Sequence, residues 1–264
     1  MQAVPPAAAV SPTAADPTAT DMGLLQALWE LRQRTRCNDV SGCAAEDVVR
    51  GYGPAAIEEL TTLVRMAGPR TPWLPRVVRL LGEVGDARTL AVLEEMAELE
   101  EDAVRASALF ALAQRGVVDR ERLLGEVATR TAAATSRSRL TAAWILGRDG
   151  DAAAQARFVA VLRELSEQIV AADSLRWGYW LCGVAQPPSC TGALEAGARH
   201  PGYLVRREVL RLAERRPTRS MAPALRLLMA DPMVPLRRDA TAAVRAAAAA
   251  DPKGPWRAML AVNP

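Results

Sequence analysis

The chain has 264 residues, of which 52 are alanine and 50 % are hydrophobic, with 33 basic side chains against 30 acidic ones and a single histidine, His200. This balance of charge and apolar residues excludes a disordered chain, and no apolar run reaches the 18 residues that a membrane span needs. One histidine excludes a multi-histidine metal site, and the alanine content favours helices over strands, because alanine is the best helix former.

The first 21 residues are unlike the rest of the chain. The first twenty hold four prolines and one charged side chain, Asp16. Such a segment cannot bury a core, so we predict that residues 1–21 are a flexible, partly polyproline-II tether. It lacks the basic start and the apolar stretch of a signal peptide. It is therefore either the start of an exported chain that has lost its signal or a lipid anchor, or an ordinary disordered terminus.

A helix is predicted next, over residues 22–36. Its apolar side chains, which we expect to be buried, are Leu24, Leu25, Leu28, Trp29 and Leu31. We predict that this helix belongs to an N-terminal cap, residues 22–50, of a single domain that spans residues 22–264.

The four cysteines form two short-range pairs, each placed where a predicted helix ends. Cys37 and Cys43 flank one turn-rich stretch, and Cys182 and Cys190 flank another. Both separations are easy for a disulfide to close, and neither has the CxxC spacing of redox or zinc sites. We predict the disulfides Cys37–Cys43 and Cys182–Cys190, which are typical of a periplasmic or extracellular protein. The alternative is four buried free thiols in a cytoplasmic protein.

Beyond residue 50 the sequence repeats itself. Three similar stretches are VVRLLGEVGDA (77–87), ASALFALAQRGVV (106–118) and LTAAWILGRDGDA (140–152), and three weaker copies follow up to residue 247. Equivalent apolar positions recur every 31–35 residues, at Leu81, Leu112, Leu146, Leu181, Leu212 and Val244. A period of this length is typical of stacked helical repeats.

Each repeat is predicted to contain two helices. The first carries arginine, alanine and leucine at the spacing of Arg105, Ala108 and Leu112, where alanine lets neighbouring helices approach closely. The pairs Gly85–Asp86 and Gly150–Asp151 predict the break, since a left-handed glycine ends a helix and aspartate caps the next one. The apolar stripe of one second helix consists of Phe158, Leu162, Leu165 and Ile169. No helix can bury its stripe alone, so about six to seven pairs should stack.

These repeats resemble the HEAT-repeat family, particularly the short bacterial HEAT-like form, over about residues 50–250. The resemblance is clearest around Gly82–Asp86 and Gly147–Asp151 and poorest around Trp177 and Trp180. It implies an all-α fold, a right-handed α-α superhelix or solenoid, with repeats over residues 51–250 and a C-terminal cap over 251–264. It also implies that another macromolecule, usually a protein, binds to the surface lined by the second helices, and it implies no reaction.

Three aromatic residues, Trp177, Tyr179 and Trp180, fall in the repeat that departs most from the pattern. Trp180 aligns with core positions of other copies, whereas Trp177 replaces an alanine. Tryptophan either fills a loosened core or marks a binding hot spot, and we favour the core.

Catalytic motifs are missing from the sequence. It has no Gly-rich phosphate loop, no Gly-x-Ser-x-Gly elbow and no HExxH motif. We therefore predict a non-enzymatic scaffold or adaptor, without cofactor or metal, for a protein partner. The predicted contact residues are polar positions of the second helices that lie off the apolar stripes, namely Arg88, Glu95, Arg122, Glu126, Arg157 and Glu164.

Charge is distributed unevenly along the chain. Residues 1–198 contain 20 basic and 25 acidic side chains, whereas residues 199–264 contain 13 and 5. The stretch 94–102 alone holds six acids. Such an arrangement would steer a charged partner or favour head-to-tail association. The basic end also suggests an alternative function, nucleic-acid binding through residues 199–264, although Glu208 and Glu214 interrupt its arginines.

Overall fold

The computed structural model describes residues 17–33, 42–117, 119–128, 137–168, 172–185, 190–215 and 217–262. All regular secondary structure within these ranges is helical, which confirms the all-α prediction. The helices are α1 (Pro17–Leu31), α2 (Ala44–Tyr52), α3 (Ile57–Met66), α4 (Leu74–Val84), α5 (Leu90–Ala97), α6 (Asp102–Gln114), α7 (Arg120–Ala128), α8 (Arg137–Arg148), α9 (Ala152–Ser166), α10 (Ala172–Ala185), α11 (Thr191–Arg199), α12 (Tyr203–Arg215), α13 (Ala222–Met229), α14 (Val234–Ala250) and α15 (Trp256–Val262). Short 3-10 turns precede α3, α5 and α13. None of these helices is long and apolar enough to cross a membrane.

Helix α1 starts and ends five residues earlier than the sequence predicts. Residues 17–21, placed in the tether by composition, are helical, and residues 1–16 lie outside the described part of the chain. Of the five apolar side chains expected to be buried, Leu24, Leu28 and Leu31 are buried because their spacing puts them on one helix face. Leu25 and Trp29 are 52 % and 49 % exposed, so the prediction for these two was wrong.

The first helices of the predicted pairs pack on one another in chain order. Helix α4 packs on α6, α6 on α8, α8 on α10, α10 on α12 and α12 on α14. Side-chain hydrogen bonds join residues that are 32–36 positions apart. The donor–acceptor pairs are Arg50–Glu83 (2.6 Å), Trp177–Thr141 (2.8 Å), Arg207–Asp239 (3.0 Å) and Arg219–Asp251 (2.8 Å). These separations match the sequence period, so successive helix pairs meet in equivalent register.

Small residues set the distance between the first helices. Ala108 and Ala142 are completely buried, as their place in the repeat predicts. At Gly82 in α4, an added Cβ would lie 2.2 Å from the Cβ of Ala111 in α6. Helices α4 and α6 therefore approach so closely that only glycine fits opposite this alanine.

The glycine–aspartate pairs end and start helices in two different ways. Gly150 has φ +99°, and Asp151 accepts a 2.9 Å hydrogen bond from the backbone N–H three residues on, as predicted. Gly85 has φ −64°, so the left-handed conformation predicted for it was wrong. Glycine is required there because a Cβ would lie 2.3 Å from the carbonyl oxygen of Leu81. Asp86 still caps the following turn, accepting a hydrogen bond from the N–H two residues on (2.9 Å).

An arginine at the fourth position of three first helices folds back on the turn before the helix. Arg105 in α6, Arg206 in α12 and Arg237 in α14 each donate from Nη1 to the carbonyls six and five residues earlier, at 2.5–3.4 Å. Carbonyls in turns that no helix satisfies need such donors. The recurrence of arginine at these helix starts thus has a structural cause.

A buried ion cluster joins α2 to α4. The carboxylate of Glu46 is completely buried and pairs with three guanidinium groups, those of Arg50 (2.9 Å), Arg76 (2.9 Å) and Arg79 (2.6 Å). The guanidinium carbon of Arg79 also lies 4.9 Å from the ring centroid of Trp180 in α10. Helix α4 thus reaches a helix three repeats further along the chain.

Aromatic side chains fill the space between these first helices. Phe110 lies 5.7 Å from Trp144 and 5.0 Å from Trp180 between ring centroids, and Trp177 stacks on Trp180 at 4.7 Å. Trp177, Tyr179 and Trp180 are all at most 5 % exposed. These three residues therefore belong to the core, as expected.

One predicted disulfide lies within the described residues. Cys182, near the end of α10, is bonded to Cys190, which precedes α11, with a Cα–Cα distance of 6.1 Å. Both cysteines are buried. Cys37 lies outside the described residues, so the Cys37–Cys43 bridge stays a prediction; Cys43 immediately precedes α2.

Candidate partner-binding groove

A cleft of about 300 Å³ opens between the second helices α5 and α7. Its floor is apolar and is formed by Leu109, Leu112, Ala113, Leu123 and Ile145. Its rim is formed by Glu94, Glu98, Val117, Asp119 and Arg122. Three carboxylates against one guanidinium give the rim a net charge of −2. We call these ten residues the acidic groove.

Helices α5 and α7, which border the acidic groove, do not pack closely on each other. Further along the chain, α9 packs directly on α11, and α11 on α13. Between α6 and α7 the chain turns at Gly116, which has φ +74°, and Val117 then donates a 3.0 Å backbone hydrogen bond to the carbonyl of Leu112. This turn leaves the Val117 side chain 37 % exposed beside the apolar floor.

Arg122 closes one end of the groove. Its guanidinium pairs with Glu98 (2.8 Å) and donates to the carbonyl of Ala97, the last residue of α5. A cation is favourable at the C-terminal end of a helix, where carbonyls lack partners. Asp119 accepts a hydrogen bond from the Arg122 backbone N–H (3.0 Å) and caps α7. Arg122 therefore holds α5 to α7, and its charge is neutralised within the fold.

The predicted contact residues do not form one site. Arg88, Glu95, Arg157 and Glu164 are exposed, as expected. Arg88 lies in a 3-10 turn and pairs with Asp86 (2.8 Å). Arg157 and Glu164 lie on α9, outside the groove. Only Arg122 lines the groove, while Glu95 lies on α5 next to the rim residue Glu94.

Glu126 differs most from its expected role. It is only part-exposed and faces inward, where it pairs with Arg105 of α6 (3.4 Å) and accepts a hydrogen bond from Ser138 of α8. Arg122 is likewise part-exposed. Both residues connect neighbouring helices. Although they lie off the apolar stripe of α7, their side chains still face other helices.

Several groove residues were not among the predicted contacts. Glu94, Glu98 and Asp119 supply the rim carboxylates, and Val117 supplies exposed apolar surface. The acidic stretch 94–102 was the available signal for the first two. Nothing in the sequence marked the floor residues as part of a site, because leucine and isoleucine also occupy ordinary core positions.

Four arginines of the basic end are paired with acids within the fold. Arg206 pairs with buried Asp231 (2.6 Å), Arg207 with Asp239 (3.0 Å) and Glu214 (3.3 Å). Two further pairs are Arg211–Glu208 (3.3 Å) and Arg219–Asp251 (2.8 Å). These four arginines are therefore less available to phosphate groups, while residues 199–264 as a whole keep a net charge of +8.

Three aspartates at turns have carboxyl groups with a lowered pKa. The pKa of Asp86 is lowered mainly by the hydrogen bond from the Arg88 side chain, and that of Asp251 mainly by Arg219. The pKa of Asp151 is lowered first by its backbone capping bond and then by Arg120. Each carboxylate is thus stabilised in its charged form by the turn that it closes.

No family model matches the chain, and neither the curated proteins nor the solved structures compared with it include a match. Among the described residues, no group of three or more histidine, cysteine, aspartate or glutamate side chains is placed to hold a metal ion.

Proposed function

We propose that this protein is a non-enzymatic scaffold or adaptor that binds a protein partner through the acidic groove. The architecture we propose for it is a HEAT-like right-handed α-solenoid of six to seven helix pairs. Two observations support this architecture: the first helices pack in chain order, and hydrogen bonds recur between residues about one period apart. Stacked pairs of this kind offer extended surfaces to partners.

The observation that carries the function is the combination of an apolar floor with a rim of net charge −2 in a cleft of about 300 Å³. Burial of one large apolar side chain contributes about 1.5–3 kcal/mol, and carboxylates at the rim select a partner that carries cations. The partner segment should therefore present a leucine, phenylalanine or methionine flanked by lysine or arginine. A purely acidic or purely polar segment should not bind.

Location outside the cytoplasm is part of the same proposal. The Cys182–Cys190 disulfide supports it, because such bonds persist in oxidising compartments and are rare in the reducing cytosol. The partner would then be a periplasmic or extracellular protein.

A peptide library displayed on phage tests the groove directly. Selection on the full chain should enrich peptides with an apolar residue next to lysine or arginine. Two groove variants, Glu94→Arg and Val117→Asp, should weaken binding of an enriched synthetic peptide by about tenfold or more. Both side chains are exposed, so the changes should leave the fold intact, as circular dichroism can verify.

Two variants elsewhere serve as matched controls. Glu164→Arg makes the same charge change on α9, and Met66→Asp places the same acid at a 78 % exposed apolar position at the end of α3. Both should bind the peptide as the wild type does. Enrichment of acidic peptides, or equal loss of binding in groove and control variants, would show that the acidic groove is not the partner site.

A further inference from the structure

A second exposed apolar surface lies where α12 and α14 begin. Tyr203 and Leu204 are 37 % and 49 % exposed at the start of α12, and Met233 and Val234 are 44 % and 63 % exposed at the start of α14. The two helices pack on each other in equivalent register, so their N-terminal ends are neighbours. We call these four residues the apolar edge.

Buried polar contacts join the two helix starts that carry the apolar edge. Next to this edge, an open pocket of about 430 Å³ is lined from both helix starts, by Pro201 before α12 and by Met233 before α14. The single histidine, His200, is 2 % exposed and accepts the Gly202 backbone N–H at Nδ1 (2.9 Å). Arg206 of α12 pairs with the buried carboxylate of Asp231, which lies just before α14 (2.6 Å). These contacts fix the two helix starts relative to each other.

The charge around the apolar edge is opposite to that of the acidic groove. The helix starts that carry the edge, residues 199–209 and 231–239, hold five arginines and three acids, a net charge of +2, whereas the rim of the acidic groove has a net charge of −2. Arg207 and Arg238 lie one helical turn beyond Tyr203 and Val234, where both pair with the single carboxylate of Asp239 (3.0 and 3.1 Å). The N-terminal ends of α12 and α14 add partial positive charge of their own.

We infer that the acidic groove of one molecule binds the apolar edge of a second copy of this chain. This inference rests on the proposed function of the groove. The floor of the groove requires an apolar side chain and its rim requires cations, and the edge supplies both together. The contact joins two different surfaces, so each added copy leaves one groove and one edge unused and assembly proceeds head to tail.

Charge distinguishes the apolar edge from the apolar residues exposed near the N-terminus as a partner for the acidic groove. Leu25 and Trp29 are also about half exposed. The described residues around them, 23–33, however, carry only Glu30 and Arg32 as charged side chains, a net charge of zero. That surface offers the acidic groove no excess of cations, so it complements the rim less well than the apolar edge does.

Sedimentation velocity of the full chain over a range of concentrations tests the inference. Wild type should form dimers and larger species as concentration rises, and 0.5 M salt should weaken them because exposed charges are screened. Glu94→Arg reverses one of the rim charges of the acidic groove, and Val234→Asp places a charge on the apolar edge. Each variant alone should remain monomeric, since it lacks one of the two surfaces. Met66→Asp, the matched control for Val234→Asp, should assemble like the wild type.

Mixing the two variants gives the sharpest result. The Val234→Asp molecule keeps an intact groove and the Glu94→Arg molecule keeps an intact edge, so an equimolar mixture should form one-to-one dimers and nothing larger. A mixture that stays monomeric, or variants that assemble as the wild type does, would overturn the inference. If the wild type is monomeric at every concentration while basic peptides still bind the groove, the self-association fails and the proposed function stands.

Discussion

The N-terminal and C-terminal parts of the molecule hold a buried arginine in different ways. In α4, Arg79 is held by the side chain of Glu46 (2.6 Å) and by the face of Trp180. In α12, Arg206 is held by Asp231 (2.6 Å) and also donates to two backbone carbonyls at 2.7–2.8 Å. The first arrangement relies on carboxylates alone, Glu46 and the more distant Glu83 (3.8 Å), whereas the second also has backbone acceptors that remain when its carboxylate is lost. The difference indicates where the fold tolerates change.

The largest expected effect comes from Glu46→Gln. Removing this charge leaves Arg76 and Arg79 without their shared carboxylate, and loss of one partner of a buried ion pair costs about 3–5 kcal/mol. The matched change Asp231→Asn should cost less, about 1–3 kcal/mol, because the two carbonyls still accept from Arg206. Urea unfolding followed by circular dichroism measures both. Equal losses of unfolding free energy in the two variants would contradict a stabilising role of the backbone acceptors of Arg206.

The second effect concerns helix spacing. Gly82→Ala should lower the free energy of unfolding by about 1–3 kcal/mol, because the new methyl group meets the backbone of Ala111 at 2.7 Å. Gly183→Ala in α10 should cost clearly less, since its nearest neighbour is a methyl group at the end of the Leu212 side chain (2.8 Å). The difference in melting temperature between the two variants checks this prediction. A larger loss for the Gly183 variant would contradict it.

The third effect is the loss of one hydrogen bond between α10 and α11. Tyr179 donates to the carbonyl of Ala193 (2.8 Å), and burial raises the pKa of its hydroxyl to about 12. Tyr179→Phe should therefore cost about 1–2 kcal/mol through an unsatisfied carbonyl. An ultraviolet titration should show one tyrosine in the wild type that ionises only near pH 12, and the variant should lack it. Ionisation of every tyrosine below that range would contradict the buried position of Tyr179.

The smallest effect is a pH dependence of stability. Asp86, Asp151 and Asp251 have a lower pKa in the folded chain than in the unfolded one, so they stabilise the fold above the unfolded pKa. That stability should be lost as the pH falls below about 4. Asp151→Asn should flatten the acid side of the stability profile, because asparagine caps the helix without titrating. An unchanged acid slope in this variant would contradict a role for Asp151.

The regular part of the fold was predictable from the sequence. The six apolar positions that define the period, from Leu81 to Val244, are all buried. Leu25 and Trp29 were predicted wrongly because a terminal helix has a neighbour on one side only, and apolar character does not reveal which face that neighbour covers. The Gly85 conformation was also wrong, because a close approach and a left-handed turn require the same residue type.

The acidic groove was predictable only in part. Its negative charge is visible in residues 94–102. Whether α5 and α7 touch depends on how the repeats are tilted against each other, and the spacing of apolar residues does not determine that tilt. The aromatic cluster was hidden for a related reason, since a period of 31–35 residues predicts contacts between adjacent repeats and not between α6 and α10.

The contact between the Arg79 guanidinium and the Trp180 ring has a consequence for unfolding. A linear array in which each unit touches only its neighbours loses structure gradually from its ends. Here residues 101 positions apart share one buried cluster with Phe110 and Trp177, so α4, α6, α8 and α10 must open together. Amide protons of these four helices should exchange in a single cooperative step, while α13, α14 and α15, outside the cluster, exchange earlier by local opening.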